Sequence, residues 1–170
     1  MRKKRTLIHF ALLTEAKPFI GSLKLHKISD GIYENDTLLL VVSGMGKVKT
    51  TAVLKAIFCE YAFEKAINIG IAGCSEPEVA LGTLFCTNRE LDDVPFASLQ
   101  SFEKPVTCKE NITTMLVDME ADTFLEIARL HVKDIFVFKI VSDYLSSTIP
   151  TKEFVTNLMQ KNIKKIVQYV

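Results

Sequence analysis

The sequence predicts an α/β fold: a three-layer domain with a central mixed, largely parallel sheet flanked by helices. Three observations carry that prediction. Short apolar runs of strand length alternate with stretches whose apolar residues recur at helical spacing. The junctions where strands end carry glycines or carboxylates. No repeat or linker breaks the 170 residues, so a single domain over 1–170 is expected. A chain of this size buries roughly 70% of its unfolded surface and needs no metal or disulfide staple.

The elements follow in order. Residues 7–13 are an apolar run suited to a strand buried on both faces. Thr14 is placed to cap a short helix, with Pro18 expected in its first turn, where proline is tolerated. Residues 23–30, 32–35 and 37–43 read as strands, separated by the turn signals Asp30-Gly31 and Asn35-Asp36. A helix then runs to about Phe63, with Val48, Ala52, Ala56, Cys59 and Phe63 at helical spacing. Residues 66–72 are strand-like and end in Gly73-Cys74-Ser75. Gly82 precedes a strand over 83–87.

Residues 88–111 hold Pro95, Pro105 and several charges, and show no sustained period. A strand over 112–119 follows. Residues 120–130 form an amphipathic helix with Ala121, Phe124, Leu125 and Ala128 on one face. Residues 135–142 are the next strand. Pro150-Thr151 opens a last helix with an inner stripe of Val155, Leu158, Met159, Ile163, Ile166 and Val170.

Composition narrows the function classes. A formal net charge of +1 argues against an electrostatic nucleic-acid binder. No apolar run approaches the ~20 residues that span a bilayer, so no membrane role is expected. Cys59, Cys74, Cys86 and Cys108 have no paired C-x-x-C spacing, and His9, His26 and His131 are scattered, so no metal site is expected. Unpaired cysteines suit a reducing, cytoplasmic setting. The start, Met1 to Arg5, mimics the basic region of an export signal. No small-residue cleavage site follows, and the segment reads as a solvated lead-in to the first strand.

Sheets of this kind bind ligands beyond the carboxyl ends of their strands. The junctions there are Thr14-Glu15, Gly44-Met45-Gly46, Ala72-Gly73-Cys74, Met119-Glu120 and Ser142-Asp143. Each has an ordinary structural reading. The glycines can serve turns, Glu120 can be a carboxylate favoured at a helix N-terminus, and Asp143 can be a turn residue. Neither the Rossmann G-x-G-x-x-G nor the Walker phosphate loop is present.

Taken together, Ser43-Gly44-Met45-Gly46-Lys47-Val48, the segment 67–73 (INIGIAG) with Leu81-Gly82 behind it, Val117-Asp118-Met119-Glu120-Ala121 and Lys139-Ile140-Val141-Ser142-Asp143 resemble the nucleoside phosphorylase/nucleosidase superfamily. The likeness is most of all to its 5′-methylthioadenosine/S-adenosylhomocysteine nucleosidases. It implies a nucleoside phosphorylase-like fold, a small purine nucleoside as ligand, a homodimer and no cofactor. It implies that Glu120 grips the ribose hydroxyls and faces the oxocarbenium-like transition state, with Met119 packed on the sugar. It implies that Asp143 protonates the purine and that Glu15 positions the attacking water. Met45, Ala72, Gly73, Ser142 and Lys139 are implied to bind substrate.

The chain also departs from that pattern. Ile71 stands at a usually small polar position, Cys74 replaces a glycine, and Lys139 replaces an arginine, keeping the charge without the planar fork. The interval between Thr87 and Met115 is short, so an open base side of the pocket is expected, with weak nucleoside binding and low activity. Phe96 or Phe102 could stack on the base, but core or surface packing is the favoured reading of each. Three readings stay open: an N-ribosyl hydrolase, a non-catalytic nucleoside-binding or interaction module, and a phosphorylase using Lys47 or Lys139 to hold phosphate.

Overall fold

A computed structural model describes residues 1–170. The chain forms β1 (Arg2–Phe10), α1 (Leu13–Ser22), β2 (His26–Ser29), β3 (Ile32–Glu34), β4 (Leu38–Val42) and α2 (Lys47–Glu60). There follow β5 (Tyr61–Cys74), β6 (Leu84–Cys86), β7 (Leu99–Ser101), β8 (Leu116–Asp118) and α3 (Ala121–Ala128). The chain closes with β9 (Asp134–Asp143), α4 (Lys152–Ile166) and a 3-10 turn over Val167–Tyr169. No helix is long and apolar enough to cross a membrane.

Strands β4, β1, β5 and β9 run parallel at the centre of the sheet. The β2–β3 hairpin extends it antiparallel beyond β4, and β6 pairs antiparallel with β9. The long strand β5 organises the site. Its first half pairs with β1 from Tyr61 to Asn68, and its end pairs with β8 through Gly73 and Cys74. The carboxyl ends of β5 and β9 therefore meet the β8–α3 junction at one edge.

Strand periodicity sorts the core into two layers. Ile8, Phe10, Ile67, Ile69, Phe136 and Phe138 face α1 and α4, packing on Phe19, Leu158, Met159 and Ile163. Leu7, Ala66, Ile135 and Val137 face α2 and α3, packing on Leu54, Ile57, Phe58, Phe124 and Ile127. The result is the mixed, largely parallel three-layer arrangement predicted. The stripe of α4 is buried from Val155 to Ile166, and Thr151 caps that helix by accepting the Phe154 N–H at 3.2 Å.

Several expectations are corrected. The first strand begins at Arg2 and ends at Phe10, so the basic lead-in is part of the sheet. Lys4 pairs with Glu34 at 3.1 Å, and the Arg2 guanidinium donates to the Tyr61 hydroxyl. The cap of α1 is Leu12, not Thr14, because Glu15 reaches back to accept the Leu12 N–H at 2.9 Å. Pro18 lies in the second turn, where its missing N–H leaves the Thr14 carbonyl free, and the Thr156 hydroxyl of α4 donates to that oxygen at 3.5 Å.

Helix α2 buries Thr50, Leu54, Ile57 and Phe58, while Val48, Ala52, Ala56 and Cys59 face solvent. Both stripes fit a period of 3.6, and the one with the larger side chains takes the core because it removes more apolar area from water. The helix stops at Glu60, because Tyr61 and Phe63 gain ladder partners in Arg2 and Lys4 and burial in the sheet. The strand expected over 112–119 shortens to Leu116–Asp118. The interval with no legible period contains the short strand β7, parallel to β8.

Candidate active site

Three chain segments bring Glu15, Glu120 and Asp143 to one cavity of about 400 Å³. Met45, Ala72, Gly73, Met119 and Ser142 share its wall. It opens over the carboxyl ends of β5 and β9, where the alternation of elements placed it.

Glu15 sits in the first turn of α1 and is 2% exposed. One carboxylate oxygen closes the helix start on Leu12, and the other accepts the Ile71 N–H at 3.0 Å, tying α1 to β5. Burial pushes its pKa up to about 7, against the opposing pull of the Ile71 N–H and the Lys139 ammonium. Ile71 thus contributes through its backbone, and its side chain adds to the cavity wall.

Glu120 is the residue preceding α3 and is buried. Its Oε1 accepts the Gly46 N–H at 2.8 Å. Gly46 has φ +91, a conformation that side-chain-bearing residues rarely adopt, and in it the N–H meets Glu120. Burial raises the Glu120 pKa, while Lys139 and the Gly46 N–H restrain the rise.

Asp143 ends β9. Its Oδ2 accepts the Ser142 hydroxyl proton at 2.7 Å, and its Oδ1 accepts the Ser146 N–H at 3.2 Å. The Ser142 oxygen also lies 3.3 Å from the Ala72 carbonyl oxygen, linking β9 to β5 beneath the cavity.

Lys139 does not line the cavity. It is 1% exposed, and its ammonium lies 2.7 Å from Asp118 Oδ2. Burial presses its pKa down, but Asp118, Glu120 and Glu15 outweigh that and leave it raised. Asp118 does line the cavity, and sequence reasoning missed it. Only half of the signal was available. A lysine between Phe138 and Ile140 in an apolar strand needs a buried acid, but which acid answers it is set by the fold.

A second buried network was also missed. His9 lies between Asn68, whose Nδ2 donates to Nδ1, and Ser43, which accepts from Nε2, each at 2.8 Å. The Ser43 hydroxyl donates to the Gly44 carbonyl at 2.8 Å. Burial pushes the His9 pKa down to about 3, so the ring is neutral and braces the glycine loop from below.

The short interval between Thr87 and Met115 does not leave the pocket unwalled. Pro105, Val106 and Thr107 line it together with residues 146–150. Phe96 instead pairs through its backbone with Cys86 and is 49% exposed, and neither it nor Phe102 lines the cavity.

A three-layer α/β protein with an acidic cavity over the carboxyl ends of its parallel strands is the class that fold and site define. The family model described as the phosphorylase superfamily matches residues 7–110, and the chain belongs to that family. No curated protein sequence matches it. Among solved structures, a variant of the MTAN of Chlamydia trachomatis is 20% identical with a TM-score of 0.79, each chain being covered over 100% of its length. The Helicobacter pylori 5′-methylthioadenosine/S-adenosyl homocysteine nucleosidase, complexed with a pyrrolidinol ligand, is 14% identical with a TM-score of 0.82, again over 100% of both chains. A futalosine hydrolase mutant of Helicobacter pylori is 13% identical with a TM-score of 0.80 over 100% of both. These likenesses are of fold.

Proposed function

We propose that the chain is a purine nucleosidase-like N-ribosyl hydrolase. It cleaves the glycosidic bond of an adenosine-type nucleoside of the methylthioadenosine/adenosylhomocysteine class. The observation that carries this reading is the convergence of Glu15, Glu120 and Asp143, from three separate elements, on one cavity of nucleoside size. The nucleosidase folds it resembles, one of them solved with 5′-methylthioadenosine in the active site, support the same reading.

In this mechanism Glu120 accepts hydrogen bonds from the ribose hydroxyls, and its charge favours the cation that develops at C1′. Met119 packs on the sugar. The C1′–N9 bond breaks, and its electron pair passes to the purine as Asp143 delivers a proton to N7. Ser142 steadies Asp143 through its hydroxyl. Water held by Glu15 bonds to C1′ and gives its proton to that carboxylate. The products are free base and free ribose sugar. Ala72, Gly73 and Met45 supply wall. Engagement of Lys139 by Asp118, together with the exposure of Lys47, supports hydrolysis over phosphorolysis.

The whole chain acts as one domain in this reading, in the cytoplasm, where four free cysteines are at home. It works as a homodimer, supported by the solvent-facing apolar stripe of α2 beside the half-exposed Met45 at the cavity rim.

The test is a chromatographic assay for free base with methylthioadenosine, adenosylhomocysteine, adenosine and inosine, each with and without phosphate. Adenine release independent of phosphate is expected. Formation of ribose 1-phosphate would move the chain to the phosphorylase reading. No release, with no binding of a transition-state-like iminoribitol nucleoside, would leave a non-catalytic module.

A further inference from the structure

The cavity is backed by one ammonium and three carboxylates, all nearly excluded from water: Lys139, Asp118, Glu15 and Glu120. The cation is not shared evenly. Its ammonium lies 2.7 Å from Asp118, and neither Glu15 nor Glu120 comes within ion-pair distance of it. We propose that Asp118 is a positioning residue of the site: it holds the Lys139 ammonium away from Glu15, so that the carboxylate assigned to the water keeps its capacity to take up a proton. The inference rests on the N-ribosyl hydrolase reading above.

Asp118 is fixed at both oxygens. Its Oδ2 accepts the Ala121 N–H at 3.0 Å, at the start of α3, and its Oδ1 accepts the Ser101 hydroxyl proton. Ser101 is itself set by Asp122, which donates its N–H to the serine oxygen at 2.9 Å and accepts the Ser101 N–H at 3.0 Å. The ammonium follows the anchored acid. Three carboxylates competing for one cation would otherwise leave its position undetermined.

The path to Glu15 is open. A Cβ on Gly70 would lie 3.2 Å from Lys139 Nζ and 3.3 Å from Glu15 Oε1, so both groups reach toward one bare stretch of β5. An ammonium released by Asp118 has Glu15 as its nearest alternative across that stretch. A lysine paired directly with Glu15 would favour the ionised carboxylate and weaken it as a base.

The charged and titratable groups around Glu15 are few. Lys139 comes from β9, Asp118 from β8 and Glu120 from the start of α3. His9 on β1 is buried and neutral, and Asp143 lies at the cavity end of β9. Removing the Asp118 charge takes away a nearby anion and frees the cation, while Glu120 and Glu15 still favour the charged lysine, so both changes favour an ionised Glu15.

The experiment is Asp118→Asn in the full chain, with the Glu15 carboxyl followed by carbon NMR against pH and assigned by its disappearance in Glu15→Gln. The pH profile of kcat/KM for methylthioadenosine hydrolysis is measured in parallel. The Glu15 midpoint and the acid limb should both fall by about one pH unit or more, a tenfold change in protonation ratio. The drop in kcat should exceed any rise in KM, and Asp118→Glu should return the midpoint toward wild type. A folded Asp118→Asn protein with a Glu15 midpoint within about 0.2 unit of wild type would overturn the proposal.

If Asp118→Asn fails to fold, Ser101→Ala takes its place. It loosens the anchor without removing charge, and it should lower the Glu15 midpoint; an unmoved midpoint overturns the proposal equally. The titration needs no turnover, so the two readings separate. A shifted midpoint in a protein that releases no base would sink the hydrolase reading alone. Base release with an unshifted midpoint would sink the placement of Asp118 alone.

Discussion

Glu120 accepts the Gly46 N–H at 2.8 Å, a bond between residues 74 positions apart in sequence. It joins the glycine loop after β4 to the start of α3 and holds the carboxylate at the cavity wall. The loop is braced from beneath by His9 and Ser43, so the carboxylate is aimed by backbone rather than by a flexible side-chain partner.

That geometry separates charge from position. Glu120→Gln keeps an amide oxygen for the Gly46 N–H, and Asp143→Asn keeps an acceptor for Ser142. Both variants should fold, with circular-dichroism melts close to wild type. Each should lose on the order of 10²-fold or more in base release, the usual scale for removing a charge stabiliser or a general acid. Near-normal turnover by Asp143→Asn would remove that residue from its assigned role.

Glu15 makes stability depend on pH. Its pKa rises from an ordinary 4.5 to about 7 in the folded chain, chiefly through burial. The folded state therefore holds a proton that the unfolded state releases between those values. The contribution is fully present below pH 4.5 and is lost as pH rises through 7, by roughly 3 kcal/mol in total. Glu15→Gln abolishes the slope, although it leaves one backbone N–H poorly matched at every pH. Urea melts at pH 5 and pH 8 should show the variant gaining on wild type as pH rises. Equal differences at both pH values would refute the assignment. Turnover should also climb through pH 7 as Glu15 ionises.

Gly70 keeps the space between Glu15 and Lys139. A methyl group there would come within 3.2 Å of Lys139 Nζ and 3.3 Å of Glu15 Oε1. Gly70→Ala should cost about 1–3 kcal/mol in urea unfolding, the range for overfilling a packed site. It should lower kcat more than it raises KM for methylthioadenosine, because the groups displaced stand behind the reacting centre. Unchanged kinetics would mean that this spacing has no part in turnover.

The outward stripe of α2 bears on assembly. Val48 is 80% exposed on the face it shares with Ala52 and Ala56, and Met45, just before the helix, is 55% exposed. If two copies meet there, Val48→Glu should shift the particle from dimer to monomer by light scattering with multi-angle detection. The monomer should bind the iminoribitol nucleoside more weakly, since Met45, just before the stripe in sequence, also lines the cavity. A dimer that survives the substitution would place the interface elsewhere.

Much of the architecture was legible along the chain. Residues 135–142, a continuous apolar run, fold as a strand, and the stripe from Val155 to Ile166 is buried on one helix as read, with Val170 falling beyond the helix end. Local signals failed where two answers satisfied the same period. The stripe of α2 could be drawn through Val48 and Ala52 or through Leu54 and Ile57, and only packing against the sheet chose the second. Strand β7 has three half-buried residues and exists because β8 offers it a parallel edge, which no local pattern reveals.

The sequence by itself determined the layered α/β class and which carboxylates stand at strand and helix ends, because periodicity and junction chemistry are properties of neighbouring residues. Tertiary structure alone decided that Lys139 belongs to Asp118, that Pro105 to Thr107 wall the cavity in place of an aromatic residue, and that His9 braces the glycine loop. Those facts depend on charge and shape meeting across dozens of residues. Burial, which lifts Glu15 toward neutrality and commits the single buried cation to one acid, acts only once the layers have closed around them.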